Sequence, residues 1–159
     1  VSGTWRTWAA AVLVLYGCGQ DDAGRCGPAK ATVARVIDGD TVELEGGERV
    51  RYLLVDAPER NDDCWGAESA ALNRRLVEAE TVRLTYDAVC RDRFGRLLAF
   101  VEVAGRDVGA TLVERGFACV LQVPPNGAAR VTEFTALEAE AQAVGAGMWG
   151  WCDDAVCRR

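Results

Sequence analysis

Alternation of apolar and polar positions divides most of the chain into short strands, and two stretches switch to helical spacing. Residues 30–37 read as a first strand, with Val33 and Ile37 among β-branched neighbours. Asp38-Gly39 breaks it. Residues 41–45 and 49–55 follow as a hairpin about a short turn at Gly46-Gly47, and Pro58 ends the third strand. Residues 67–80 are predicted helical, with Leu72 and Leu76 one turn apart on one face. A fourth strand over 81–87 places Val82, Leu84 and Tyr86 on one side, and a charged turn over 91–96 leads into a fifth strand at 97–103. Residues 107–115 predict a short helix stopped by Gly116. After the loop Pro124-Pro125-Asn126-Gly127, Phe134, Leu137, Ala141 and Val144 form an apolar stripe on a last helix over 132–144. Five short strands with a helix inserted after the third predict a β-rich α+β fold, a five-stranded Greek-key barrel of the OB type with about three flanking helices. No internal repeat is visible.

Composition narrows the chemistry. The chain has 159 residues, half of them hydrophobic, enough for one domain with a real core. It has no histidine, which excludes Ser-His-Asp hydrolysis, His-based phosphodiesterases and His-ligated zinc. Chemistry must run on carboxylates, arginine, hydroxyls, thiols or a metal bound through oxygen. The net charge of −6 is the wrong sign for sequence-independent binding to nucleic acid, whose affinity comes largely from neutralised phosphates. Lys30 is the one lysine, and every other basic residue is arginine, whose planar fork suits bidentate phosphate contact.

The N-terminus reads as a targeting segment. Arg6 precedes an apolar run from Trp8 to Tyr16, and Leu15-Tyr16-Gly17-Cys18 resembles a bacterial lipoprotein box in which Cys18 is lipidated. Lipidation of Cys18 would leave six of the seven cysteines, an even set that in an exported chain favours disulfides. Expected pairs are Cys64–Cys90, both in loops beside the candidate site, and Cys152–Cys157. Cys119, within an apolar run, is expected as a reduced buried thiol or as a partner of Cys26. No CxxC pair appears, so thiolate-ligated zinc is not expected.

The segment RVIDGDTVELEGGERVRYLLVDAPE concentrates the candidate chemistry. Asp38, Asp40, Asp56 and Glu59 cluster at the end of the hairpin far from its turn, and Arg51 lies inside the return strand. With the turn centred on Gly46-Gly47, facing residue numbers add to 93, so Asp56 faces Ile37 and Asp40 faces Leu53. That leaves the two aspartates about three residues out of register, or about 10 Å apart in a flat ribbon. Barrel curvature or a bulge must close the gap. Closed, two carboxylates and a backbone carbonyl make a hard, oxygen-only site suited to Ca²⁺. Glu59 is then placed to hold a water as general base, and Arg51 and Arg96 to clamp a phosphoryl oxygen, machinery sufficient for phosphodiester hydrolysis. Taken singly, each residue also has a structural reading: Asp-Gly as a turn, Asp56 to Glu59 as a strand end, Arg51 as a solvated strand residue, Arg96 as part of a charged turn.

Over residues 31–150 the chain resembles the staphylococcal nuclease (thermonuclease) family, in the segments ATVARVIDGDTVEL, VRYLLVDAPE, CWGAES, DRFGRLLAFV, LVERGFACV and GMWG. The resemblance implies an OB-type barrel with three helices, Ca²⁺, and cleavage of DNA and RNA with little sequence specificity to 3′-phosphorylated products. It implies a metal held by Asp40, Asp56 and the carbonyl of Ala57, Glu59 as general base, and Arg51 and Arg96 on the phosphate. Asp38 would stand behind the metal ligands, and Thr41 would help order the site. Ala57 replaces a threonine of the best-known member, a tolerable change where the backbone carbonyl is the ligand. Leu121 and Val123 replace two tyrosines that line the nucleotide pocket there, and a lysine-rich surface is missing. Both changes imply weaker substrate binding and strong inhibition by salt. The expected organisation is an export signal over 1–17, a polar tether over 18–29, a nuclease-like domain over 30–151 and a cysteine-containing tail over 152–159. The expected protein is an exported, monomeric enzyme, either a lipoprotein of the cell envelope or secreted, meeting the membrane through a lipid anchor at most. Its rival is a non-catalytic OB-fold lipoprotein that binds nucleic acid or a protein.

Overall fold

The computed structural model describes residues 26–61 and 63–153. The expected export signal, the lipidation site Cys18 and most of the C-terminal tail, Cys157 included, lie outside the described residues. Among the described residues, these elements follow one another: β1 (Lys30–Val36), β2 (Thr41–Leu44), β3 (Arg49–Tyr52), β4 (Leu54–Asp56), α1 (Gly66–Val77), β5 (Thr81–Arg91), β6 (Leu97–Val103), β7 (Arg106–Asp107), α2 (Val108–Glu114), β8 (Cys119–Leu121), α3 (Val131–Ala143) and the single turn α4 (Met148–Trp151). The main sheet has the order β3-β2-β1-β5-β6-β7, and a parallel pairing of β3 with β6 closes β1, β2, β3, β5 and β6 into a five-stranded barrel. Closure removes the sheet edges, and the β-branched and aliphatic side chains that alternate inward (Val33, Val42, Val50, Val82, Leu97, Val101) fill the interior. The expected OB-type barrel with three flanking helices is therefore the observed architecture. Among the described residues, no helix is long and apolar enough to cross a membrane.

Helix α3 covers one end of the core with Phe134, which is fully buried and packs against Phe100 at 6.1 Å between ring centroids. Its expected stripe is realised at Phe134 and Ala141, both buried, and at Leu137, which is partly buried. Val144 departs from it. The helix stops at Ala143, and Val144 at the cap points to solvent, 79% exposed.

Two local departures reshape the hairpin. Leu44 N–H donates to Glu48 O at 2.8 Å and Gly47 N–H to Leu44 O at 2.8 Å, with Gly47 at φ +82°. This is a three-residue loop ending in a left-handed glycine, not the two-residue turn expected. Thr41 therefore faces Arg51 and Val42 faces Val50, a register adding to 92 rather than 93. The expected third strand over 49–55 is also two strands. It leaves the hairpin at Leu53, whose N–H donates to Ala99 O at 3.1 Å, and passes through Leu54 at φ +63° before pairing antiparallel with β8. A left-handed leucine costs about 1–3 kcal/mol, and burial of the Leu54 side chain together with the β4–β8 ladder offsets it.

The cysteine pairing also differs from expectation. Cys26 joins Cys90 and Cys64 joins Cys152, with Cα separations of 5.1 and 6.1 Å. The expected Cys64–Cys90 and Cys152–Cys157 bridges do not form. The first pairing follows from strand register: β1 runs antiparallel to β5, and the chain before it continues along β5 through Leu84 N–H to Ala29 O and Tyr86 Oη–H to Pro28 O. That path delivers Cys26 to the far end of β5, where Cys90 lies. The second follows from Trp65 stacking on Trp151, which brings the loop before α1 to the C-terminal helix. Cys119 is disulfide-bonded as well, so it is neither a reduced thiol nor the partner of Cys26.

Candidate functional site

The site is built where the chain breaks from β1 into β2 and from β3 into β4. In the first break, Asp40 N–H donates to Asp38 Oδ1 at 3.0 Å, closing the tight Asp38-Gly39-Asp40 link. A Cβ on Gly39 would run into the Cβ atoms of Ala57 and Ser69, so only glycine lets this link lie against β4 and α1. Asn73 of α1, fully buried, donates to Asp38 O at 3.0 Å and accepts from Tyr52 Oη at 2.9 Å. Burial raises the Tyr52 phenol well above its ordinary range, so it remains a hydroxyl donor.

Asp40 is 5% exposed. Its Oδ1 accepts from Thr41 Oγ1 at 3.0 Å, and its Oδ2 accepts from Ala57 N–H at 2.7 Å and pairs with Arg51 Nη1 at 2.9 Å. Burial pushes the Asp40 carboxyl up to about 7, with Arg51 opposing the rise and Asp38 adding to it. Arg51 is the pivot. Its Nη2 pairs with Asp56 Oδ1 at 2.9 Å and its Nη1 also donates to Val55 O. One guanidinium thus grips both aspartates, the fork geometry that lysine lacks. The gap expected in a flat ribbon is closed by the break at Leu53-Leu54: the strand turns out of the hairpin, and Asp56 swings from facing β1 to facing Cys119 of β8.

Arg96 comes from the β5–β6 turn. Its Nε donates to Asp92 Oδ2 at 2.7 Å and its backbone N–H to Asp92 Oδ1 at 3.0 Å. Burial would raise Asp92, but these hydrogen bonds and that from Phe94 N–H hold its pKa below the usual value. Arg51 and Arg96 line one cavity of about 460 Å³, whose apolar wall includes Leu121, Val123 and Pro124. Asn126 braces that wall by a paired contact with Val89, accepting from its N–H and donating to its O, each at 2.8 Å. Glu59 stands apart: it is exposed, does not line the cavity, and its carboxylate has no hydrogen bond or ion pair among the described residues. Its backbone is held instead. Glu59 N–H donates to Asp63 Oδ2 at 2.9 Å, Asp63 N–H donates to Glu59 O at 3.1 Å, and Gly66 packs so close to Glu59 O that a Cβ there would collide.

The structure therefore gathers Asp38, Asp40, Thr41, Arg51, Asp56 and Ala57 into one network and places Arg96 at the same cavity, with Glu59 on an adjoining loop three residues past Asp56. Sequence reasoning missed Asn73 and Tyr52, which fix the Asp38 carbonyl. A signal existed for Asn73: it lies on the same helical face as Ser69, Leu72 and Val77, a polar residue in a buried stripe.

The residues present fit a hard divalent cation. Asp40 and Asp56 converge on one positive group, and the donor atoms they offer are all oxygen. Among the described residues, no group of three or more His, Cys, Asp or Glu gathers, so two carboxylates, a backbone carbonyl and water would complete the set.

A family model described as staphylococcal nuclease homologue matches residues 49–151, about two thirds of the chain. The chain belongs to the staphylococcal nuclease family. The matched range carries Arg51, Asp56, Ala57, Glu59 and Arg96, while Asp38, Asp40 and Thr41 precede it within the same barrel. The chain is 36% identical over 127 residues to endonuclease YncB of Bacillus subtilis, covering 74% of this chain and 60% of that protein. It is 34% identical over 127 residues to the SPbeta prophage-derived endonuclease YokF of the same organism, covering 74% of this chain and 43% of YokF. It is 33% identical over 107 residues to thermonuclease of Staphylococcus intermedius, covering 62% of this chain and 64% of the relative. The chain thus spans less than two thirds of the length of these relatives.

Proposed function

We propose that the protein is a Ca²⁺-dependent nuclease that hydrolyses phosphodiester bonds of DNA and RNA with little sequence specificity, leaving 3′-phosphorylated products. The observation that carries this reading is the grip of one guanidinium, Arg51, on Asp40 and Asp56 at the cavity that also receives Arg96. Asp40, Asp56 and the Ala57 carbonyl would hold the cation, and Asp38 and Thr41 would order Asp40. When bound, Ca²⁺ supplies positive charge that polarises the phosphoryl group. Arg51 engages Asp40 and the Val55 carbonyl through Nη1 and Asp56 through one N–H of Nη2, leaving Nε and the second Nη2 hydrogen for a phosphoryl oxygen. Arg96, oriented through Nε by Asp92, presents its terminal nitrogens to the same group. Glu59, with an unengaged carboxylate, takes a proton from the attacking water. The new P–O bond forms as the P–O5′ bond breaks, the departing 5′ oxygen takes a proton from solvent and Glu59 returns its proton to solvent, giving a 3′-phosphate and a 5′-hydroxyl.

Export is part of the proposal. The Cys26–Cys90 and Cys64–Cys152 bridges support an oxidising compartment. Anchoring through Cys18 and a monomeric state rest on the sequence alone. The names of the endonuclease relatives and the family membership support hydrolysis over its rival, a non-catalytic OB-fold binder of nucleic acid or protein. The rival is favoured by one observation, that aliphatic Leu121 and Val123 line the cavity where stacking would be wanted. Incubation of the oxidised protein with single-stranded DNA or RNA, in Ca²⁺ or in chelator, separates the two. Ca²⁺-dependent fragments ending in 3′-phosphate support the nuclease, and retained binding with intact substrate in Ca²⁺ supports the rival.

A further inference from the structure

Tyr52 holds the link between β1 and β2 by both of its ends. Its backbone N–H donates to Asp40 O at 2.9 Å. Its side chain reaches the other carbonyl through α1: Tyr52 Oη donates to Asn73 Oδ1 at 2.9 Å, and Asn73 Nδ2 donates to Asp38 O at 3.0 Å. Tyr52 is 3% exposed and Asn73 is fully buried, so water does not compete for either bond. A phenol and an amide kept from solvent need partners inside the protein. Here both are directed at one three-residue link, Asp38-Gly39-Asp40, which carries a carboxylate proposed for the cation.

The rest of the link is fixed as well. Ile37 N–H donates to Thr41 O at 3.0 Å, and Asp40 N–H donates to Asp38 Oδ1 at 3.0 Å. Gly39 lies against Ala57 and Ser69, and Ser69 Oγ donates to Phe117 O at 2.6 Å, which ties α1 to the segment after α2. Tyr52 directly follows Arg51, whose guanidinium holds Asp40 and Asp56. One strand thus sets the Asp40 carboxylate through Arg51 and the backbone on either side of Gly39 through Tyr52. Mg²⁺ binds oxygen at about 2.0–2.1 Å and Ca²⁺ at about 2.3–2.6 Å, so the smaller ion is held well only where its ligands can draw inward. A carboxylate on a link pinned at both carbonyls cannot follow it.

We propose that Tyr52 and Asn73 are positioning residues that set the cation affinity of the Asp40–Asp56 site and favour Ca²⁺ over Mg²⁺ there. Neither touches the ion or the substrate, and both act through the Asp38 carbonyl and the link to Asp40. The proposal rests on the cation reading of the site and adds to it the pair that confers selectivity for ion size. It also accounts for a polar residue on the buried face of α1, between Leu72 and Val77.

The test is calorimetric titration of CaCl₂ and of MgCl₂ into the oxidised full chain, without nucleic acid, beside denaturant unfolding of each preparation. Asn73→Leu removes both bonds and should weaken Ca²⁺ binding about 10-fold, the lower end of the effect of losing a partner behind a metal ligand. Mg²⁺ binding should weaken less, so the ratio of the two affinities falls. Tyr52→Phe removes only the hydroxyl and should act in the same direction by less, which keeps the test decisive should Asn73→Leu fold poorly. Combining the two leaves no orphaned phenol, so stability should partly return while the ratio stays low. Val82→Ala is the control for stability alone, since Val82 is fully buried and pairs with Ala31 at the start of β1, the end of that strand far from Asp38. It should lower stability and leave the ratio unchanged. Ca²⁺ affinity and ratio equal to wild type in both Tyr52→Phe and Asn73→Leu, or a ratio lowered as much by Val82→Ala, would overturn the proposal and leave the nuclease reading standing. A ratio lowered only in the Tyr52 and Asn73 variants, in a protein that does not cleave DNA in Ca²⁺, would uphold it and refute catalysis. No Ca²⁺ binding by the wild type would refute both.

Discussion

Asp40, just before β2, and Glu59, on the loop after β4, are both carboxylates beside the site, and the protein holds them by opposite means. Asp40 is buried, and hydrogen bonds or ion pairs from Thr41, Ala57 and Arg51 fix its oxygens. Glu59 keeps its carboxylate in solvent, while its backbone is clamped by Asp63 and by a loop that the Cys64–Cys152 bridge ties to α4. A side chain meant to hold a charge in place gains from such fixation. On the proposed reading, the carboxylate that takes a proton from water is left in solvent, and only its point of attachment is fixed. Function and stability should therefore separate at Glu59 and coincide at the Asp40–Arg51–Asp56 node.

The largest effect expected is on rate at Glu59. Glu59→Ala should lower kcat by about 10²–10⁴-fold, the range of general-base catalysis, while changing stability by less than about 0.5 kcal/mol, as for a surface residue without partners. Steady-state kinetics and a thermal melt on the same preparation check both halves. Unchanged kcat, or a large loss of stability, would erase the contrast.

Arg51→Ala attacks the other side. It leaves Asp40 buried and Asp56 without its cation, and breaking a buried pair from one side costs about 3–5 kcal/mol. Denaturant unfolding should show this loss together with loss of activity. Stability at the wild-type level would mean that Arg51 is not the pivot that its contacts describe.

Removing the covalent clamp should fall in between. Cys64→Ser with Cys152→Ser should destabilise by about 2–4 kcal/mol and lower kcat more than it changes KM, because it loosens the loop of Glu59 and spares the node around Arg51. A change confined to KM would show that the clamp does not act through Glu59. The smallest effect is on substrate affinity. Leu121→Tyr or Val123→Tyr restores an aromatic surface at the cavity wall and should tighten binding by about 1–3 kcal/mol per stacked base, read as a lower KM with kcat retained.

The difference between the two regions also marks where sequence was legible. Strand alternation at Val82, Leu84 and Tyr86, and the helical stripe at Phe134 and Ala141, are local patterns, and they gave the barrel and its helices. The clustering of Asp40, Arg51 and Asp56 was readable because all three lie within one short stretch of sequence. Its closing geometry was not. One left-handed glycine, Gly47, shifts the register by a residue, and the exit at Leu53 depends on a partner strand at Cys119–Leu121, far along the chain. The cysteines fail for the same reason: Cys26 and Cys90 are brought together by the pairing of β1 with β5, and Cys64 and Cys152 lie beside the Trp65–Trp151 contact, each between residues far apart in the chain. Asn73, fixed by a carbonyl 35 residues away, shows itself in sequence only as a polar residue on an apolar face.

The most direct test is digestion of single-stranded DNA by the purified, oxidised protein with Ca²⁺ and with chelator, beside the Glu59→Ala and Arg96→Ala variants prepared identically. Cleavage that requires Ca²⁺, ends in 3′-phosphates and is lost in both variants is expected. Cleavage equal in wild type and variants, or none by the wild type in Ca²⁺, would contradict a catalytic role for this constellation.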